Sequence, residues 1–207
     1  MFTMPRIYWP KIVVFLLCLL PFFDVLYGAL SNSLGADPQK TILLTFGDWS
    51  LRFLLLTLSM SVLRRRFKVK RAINYRRMLG LFSMFYVTLH LLSYYVFYLG
   101  LSFDELAFEI SDRPYLIIGF CAWLILIPLT FTSTKKAMRW LGKRWQQLHY
   151  LVYVIVALGW IHFFMQVKSD INEPLTYGLI IFCLAVERAF FWRKKRSKQH
   201  QKATRTV

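Results

Sequence analysis

Apolar residues along this chain fall into six long runs, separated by shorter polar and mostly basic stretches. The runs cover about residues 12–30, 42–63, 78–99, 115–131, 148–166 and 175–191. A helix rises 1.5 Å per residue and needs ~20 residues to cross ~30 Å of hydrocarbon, so each run has about the length of a membrane span. Backbone groups in hydrocarbon must hydrogen-bond within their own segment, which makes such runs helices. The pattern predicts an all-α integral membrane bundle of six transmembrane helices. These form a single domain over residues 1–207 that ends in a basic tail at 192–207. The second run is the least apolar because Asp48 and Arg52 fall inside it; four residues apart, they are expected to pair on one helix face. The first run is interrupted by Asp24 near Pro21. Its basic flank (Arg6, Lys11) and the small pair Gly28-Ala29 are features of a cleaved signal, but its apolar stretch is long for one, and a retained helix is expected. Pro128 is expected to kink the fourth helix. No internal repeat is visible in the sequence.

Composition agrees with this pattern. Of 207 residues, 57% are hydrophobic and 18% aromatic, yet Lys and Arg number 27 against 10 Asp and Glu. A soluble basic nucleic-acid binder would be less apolar, and a disordered basic chain would not carry 19 Phe and 7 Trp. Placing the N-terminus in the cytoplasm puts residues 1–11, 64–77, 132–147 and everything from 187 on the inside. These segments hold 2, 8, 5 and 8 Lys or Arg, 23 of the 27. Eight of the ten acids lie on the other side, Asp24 and Glu187 being the exceptions. That asymmetry predicts both termini in the cytoplasm. The net charge of +17 thus reads as a topology label, and the basic tail as a binder of anionic lipid headgroups, with no nucleic-acid role. Glu187 is expected at the interface. Trp9, Trp49, Trp140, Trp145 and Trp192 are expected in an interfacial belt near helix ends. Cys18, Cys121 and Cys183 lack any zinc spacing and read as buried bystanders.

Chemistry points to the histidines. Of four in the chain, three (His90, His149 and His162) lie in predicted spans, where polar side chains are costly and commonly functional. Helices three and five run in the same direction, which puts His90 and His162 at matching depth toward the outer side. Facing imidazoles on two helices of a bundle can provide both axial ligands of a haem iron. His149 lies ~20 Å nearer the cytoplasm than His162. Thirteen residues do not return a helix to the same face, so a bend, a tilt or side-chain reach has to absorb the difference if both are to serve one bundle interior. Opposite His149, fourteen residues before His90, stands Arg76. A guanidinium cannot ligate iron, but it can clamp an anion such as a haem propionate, a flavin phosphate or a lipid phosphate. Asp24 is a candidate proton carrier or a partner for a polar neighbour near the kink.

The run RRMLGLFSMFYVTLHLLSY, the GADP of Gly35–Pro38, the RPYLIIG from Arg113, and TSTKKAMRWLGKRWQQLHYLVY together resemble the bacterial MsrQ family, formerly called YedZ. The resemblance is collinear over nearly the whole chain and includes the three membrane histidines. More distantly it extends to the ferric-reductase-like transmembrane domains. It implies a haem b membrane subunit of the inner (cytoplasmic) membrane that works with FMN. Electrons would pass from the quinone pool to a periplasmic molybdopterin-containing methionine-sulfoxide reductase subunit in a heterodimer, for repair of oxidised periplasmic proteins. His90, His162 and His149 would serve haem iron, and Arg76 would hold a cofactor anion. The wider family usually carries two histidine pairs, and Arg76 occupies the place of one inner member. The residues alone leave open a non-redox small transporter or assembly factor, and a stand-alone metalloreductase.

Overall fold

The computed structural model describes residues 9–167 and 170–204. Arg6 and Lys168, used above for the signal and charge readings, lie outside the described residues, as does the end of the basic tail. The protein is all-α: α1 (Trp9–Leu30), α2 (Pro38–Arg66), a 3-10 turn (Lys70–Asn74), α3 (Arg76–Phe97), α4 (Phe103–Asp112), α5 (Pro114–Phe131), α6 (Lys135–Leu141), α7 (Lys143–His149), α8 (Leu151–Gln166) and α9 (Asn172–Thr204). Six helical stretches are long and apolar enough to cross a membrane: α1, α2, α3, α5, α7 with α8, and α9. This is a multi-pass membrane protein.

Local chemistry sets the helix ends. Asp37 caps α2 by accepting from the Lys40 N–H at 3.1 Å, and Pro38 fits the first turn, where its missing N–H is not needed. At the other end Arg64, Arg65 and Arg66 complement the helix dipole. These features carry α2 beyond the apolar run 42–63. Ser102 caps α4 in the same manner, with Asp104 and Glu105 in its first turn. The apolar pattern did not predict α4, which at 10 residues is too short to leave a membrane signal. The predicted fifth helix is broken in two at Tyr150. The sixth continues to Thr204, well past its apolar run.

Two buried clusters hold the bundle together. Leu51, Leu54, Leu55 and Leu58 of α2 pack against Ala122, Leu126 and Leu129 of α5 and Val152, Ile155 and Val156 of α8. On the other side of α2, Phe46 and Phe53 meet Leu79, Phe82 and Tyr86 of α3 and Cys18 and Val25 of α1. The α2–α3 seam is closed by two serines, each donating to the other's carbonyl (Ser50 Oγ to Ser83 O, 3.2 Å; Ser83 Oγ to Ser50 O, 3.0 Å). Small hydroxyl residues let helices in hydrocarbon approach and bond across the interface. Tyr86, fully buried, donates to the Cys18 carbonyl at 2.7 Å and accepts from the Phe22 N–H at 3.2 Å. Those two groups would bond each other in a regular helix, so the Tyr86 hydroxyl is inserted into the α1 ladder beside Pro21.

Large apolar side chains are exposed along α1, α5, α8 and α9, as lipid contact requires. Cys121 and Cys183 join that exposed surface, and only Cys18 is buried; with no water to avoid, an apolar thiol gains little from burial in the bundle. Trp49 lies well inside α2, its ring tilted against Phe53 with centroids 5.6 Å apart, rather than at a helix end. Asp24 is exposed on α1. The expected Asp48–Arg52 pair is present at 3.7 Å, and Arg52 also reaches Glu173 at 3.7 Å and the Tyr177 hydroxyl at 2.7 Å.

Candidate cofactor site

α3 and α8 bring His90 and His162 together, with ring centroids 6.2 Å apart and planes at 86°. Each ring is held from behind. His90 Nδ1 lies 2.8 Å from the Leu43 carbonyl of α2, and His162 Nδ1 lies 2.7 Å from the Tyr115 carbonyl of α5. A carbonyl oxygen only accepts, so Nδ1 carries the proton in both rings and Nε2 keeps its lone pair. Such carbonyl bonds are the usual outer support of metal-ligating histidines, fixing tautomer and orientation. Rings at this separation would leave room for a metal held between them at ~2 Å from each nitrogen.

The backs of the rings are accommodated by glycine. A Cβ on Gly47 would meet His90 Nδ1 at 2.9 Å, and one on Gly119 would meet His162 Nδ1 at 2.7 Å. In each half, the glycine stands four residues after the accepting carbonyl, one helical turn along, and its missing Cβ leaves the space that the ring occupies. The arrangement occurs twice in the chain. Leu43 and His90 are 47 positions apart, as are Tyr115 and His162. Carbonyl, glycine and histidine all recur 72 positions later, from 43, 47 and 90 to 115, 119 and 162. The α2–α3 and α5–α8 pairs are therefore two copies of one device. No repeat is visible in the sequence because the two halves share these three positions and little else. Gly47 and Gly119 were also missed; the 47-residue spacing was the available signal.

Both histidines line a cleft among α2, α3, α4, α5 and α8 with about 1330 Å³ of atom-free space, including its open mouth. Its walls are mainly aliphatic and aromatic, with Leu106 and Ile110 of α4 contributing. The polar lining groups include Asp48, Tyr94, Tyr115 and Gln166. A flat, largely apolar macrocycle bearing a few polar substituents fits such a space.

His149 and Arg76 are not part of that cleft. His149 ends α7, with its ring stacked on Trp145 at 4.0 Å and Nδ1 3.1 Å from the Trp145 carbonyl one turn earlier. Its Nε2 is buried with no well-formed hydrogen bond, although the Leu129 backbone lies in range of the ring. The helix is interrupted at Tyr150, between His149 and His162. Arg76 stands within electrostatic range of His149, Tyr153, Arg64, Arg65 and Arg188. The 72-residue offset pairs His149 with the exposed Arg77, not with Arg76. Glu187 is largely buried, bound by Arg65 through two hydrogen bonds and approached by Arg66 at 3.8 Å. Among the described residues, no group of three or more His, Cys, Asp or Glu is placed to hold a metal ion.

A six-helix membrane bundle with facing, carbonyl-anchored imidazoles has the architecture of a ferric-reductase-like component. Residues 43–160 match the family described as ferric reductase like transmembrane component, a match that ends two residues before His162. Over 192 residues the chain is 42% identical to the protein-methionine-sulfoxide reductase heme-binding subunit MsrQ of Polaromonas naphthalenivorans (strain CJ2), covering 91% of this chain and 88% of that protein. The MsrQ of Herminiimonas arsenicoxydans is 40% identical over 199 residues, covering 95% and 91%. The magnetosome protein MamZ of Magnetospirillum gryphiswaldense is 38% identical over 190 residues, which are 88% of this chain but 29% of MamZ. No solved structure matches. The chain belongs to the MsrQ family.

Proposed function

We propose that the protein is the haem b electron-transfer subunit of a methionine-sulfoxide reductase system in the bacterial inner membrane. In this reading both termini are cytoplasmic and the His90–His162 end faces the periplasm. The observation that carries it is the pair of imidazoles 6.2 Å apart, each with Nδ1 bound to a backbone carbonyl. When bound, haem supplies a one-electron couple. His90 and His162 hold its iron through Nε2, Leu43 and Tyr115 fix the tautomers, and the apolar walls keep water from the couple. His149, with its unpartnered Nε2, is a further haem-iron ligand, and Arg76 clamps an anionic group such as a propionate or an FMN phosphate. Electrons enter from the quinone pool and leave to a periplasmic molybdopterin-containing subunit, which reduces methionine sulfoxide in oxidised proteins. The names of the MsrQ relatives support the haem and the existence of a partner subunit; the donor, the FMN and the nature of that subunit rest on the family resemblance.

The test is a dithionite-reduced minus oxidised spectrum of the detergent-purified, haem-supplied protein, with pyridine haemochrome quantitation. A sharp b-type α-band is expected, with the share due to the His90–His162 site lost in both His90→Ala and His162→Ala and any haem held through His149 retained. A flat spectrum from folded protein, or a band indifferent to both substitutions, overturns the proposal.

A further inference from the structure

A second cavity lies at the opposite end of the bundle from the histidine pair, between α2, α8 and α9, with about 670 Å³ of atom-free space including its open side. Its polar lining is Ser61, Arg65, Tyr153 and Arg188. The Arg188 guanidinium is fixed among aromatic rings, 5.9 Å from the centroid of Tyr153, 5.6 Å from Phe191 and 5.1 Å from Trp192. Its Nε is buried and has no hydrogen-bond partner. Arg65, held 4.7 Å over Phe191, gives Nε and Nη2 to Glu187 and keeps Nη1 uncommitted. Arg76 lies in electrostatic range of both Arg188 and Arg65, and of the exposed Arg64. Among the described residues, Glu187 is the one carboxylate paired with any of these arginines.

Several guanidiniums at the edge of a low-dielectric bundle, with one carboxylate between them, leave an uncompensated positive field. Burying charge without a counter-charge is costly, and an anion entering the cavity relieves it. Guanidinium donors form a planar fork that matches phosphate oxygens. Basic pockets between membrane helices take phosphate headgroups on the same grounds. We propose that this cavity binds a phosphate group, held by Arg188 and by the uncommitted edge of Arg65, with the Ser61 and Tyr153 hydroxyls in reach of the remaining oxygens. The phosphate is carried either by an anionic lipid or by a soluble phosphomonoester. The site is separate from the histidine cleft and does not depend on haem being bound there.

The experiment is thermal unfolding of the full-length, delipidated protein in detergent, followed by tryptophan fluorescence. The additions are phosphatidylglycerol, phosphatidylcholine, FMN, riboflavin and inorganic phosphate. At least one phosphate-bearing addition is expected to raise Tm by several degrees in the parent protein and by less than a third as much in Arg188→Gln. A rise with phosphatidylglycerol that exceeds phosphatidylcholine identifies a lipid headgroup. A rise with FMN that riboflavin does not reproduce identifies a soluble phosphomonoester. Ser61→Leu, which fills the cavity without touching an arginine, is expected to suppress the same rise and serves if Arg188→Gln does not fold. The proposal is overturned if no phosphate-bearing addition shifts Tm in the parent protein, or if the shift is equal in the parent and in whichever variant folds.

Discussion

The same helices build two unlike ends of this bundle. At the histidine end, two neutral imidazoles face each other across an apolar cleft, and every Nδ1 proton has a carbonyl to receive it. At the arginine end, one imidazole keeps an unpartnered Nε2, a helix breaks at Tyr150, and several guanidiniums share a single carboxylate. The histidine end is symmetric because both halves repeat one carbonyl–glycine–histidine device. The arginine end breaks that symmetry, since the position paired with His149 by the repeat is an exposed arginine. A duplicated scaffold can thus provide matched ligands at one level and a cationic pocket at the other, the difference lying in a few side chains rather than in the fold.

The contrast can be broken first at the glycines. Gly119→Ala places a Cβ 2.7 Å from His162 Nδ1, and Gly47→Ala places one 2.9 Å from His90 Nδ1. The ring must swing out and lose its carbonyl bond, so haem retained after purification is expected to fall about tenfold for Gly119→Ala and somewhat less for Gly47→Ala. Tenfold corresponds to ~1.4 kcal/mol, within the range for one lost buried hydrogen bond. Gly80→Ala on the same α2–α3 seam meets only Thr57 atoms at 3.7 Å or beyond and should leave haem content unchanged. Loss of haem in all three would show a packing effect and not a device specific to the histidines.

At the arginine end, Glu187→Gln removes the carboxylate from under Arg65, with both side chains largely buried. Breaking such a pair from one side costs ~3 kcal/mol or more, to be read as a lowered unfolding temperature with an unaltered reduced-minus-oxidised spectrum. If the spectrum changes with stability, the two ends are not independent.

His149→Phe sharpens the comparison more gently. As a haem ligand, His149 contributes to the haem-to-protein ratio, which should drop while the band due to His90 and His162 persists. An unchanged ratio with a raised unfolding temperature would mean that the orphaned nitrogen is only a buried cost of ~1–3 kcal/mol. The smallest effect is expected from Tyr86→Phe, which strips the hydroxyl from between the Cys18 carbonyl and the Phe22 N–H. As the two backbone groups can re-pair with each other, the loss should stay near ~1 kcal/mol, with haem content intact.

The six spans were legible in the sequence because hydrocarbon imposes one length and one backbone solution on any crossing segment. The matching depth of His90 and His162 followed from the same rule, since rise per residue and helix direction fix height in the membrane. The Asp48–Arg52 pair was legible because spacing on one helix decides it. What lay beyond the sequence is lateral. Which carbonyl receives each imidazole, which glycines give the rings room, and that Glu187 joins α9 to α2 depend on how helices distant in the chain turn toward one another. In hydrocarbon no apolar face is driven inward, so periodicity does not report that rotation, as the exposed Cys121 and Cys183 illustrate. The sequence by itself determined how many helices are long and apolar enough to cross and that His90 and His162 share a level. Only tertiary packing decided which groups meet at each height, because it alone sets helix rotation and neighbour choice.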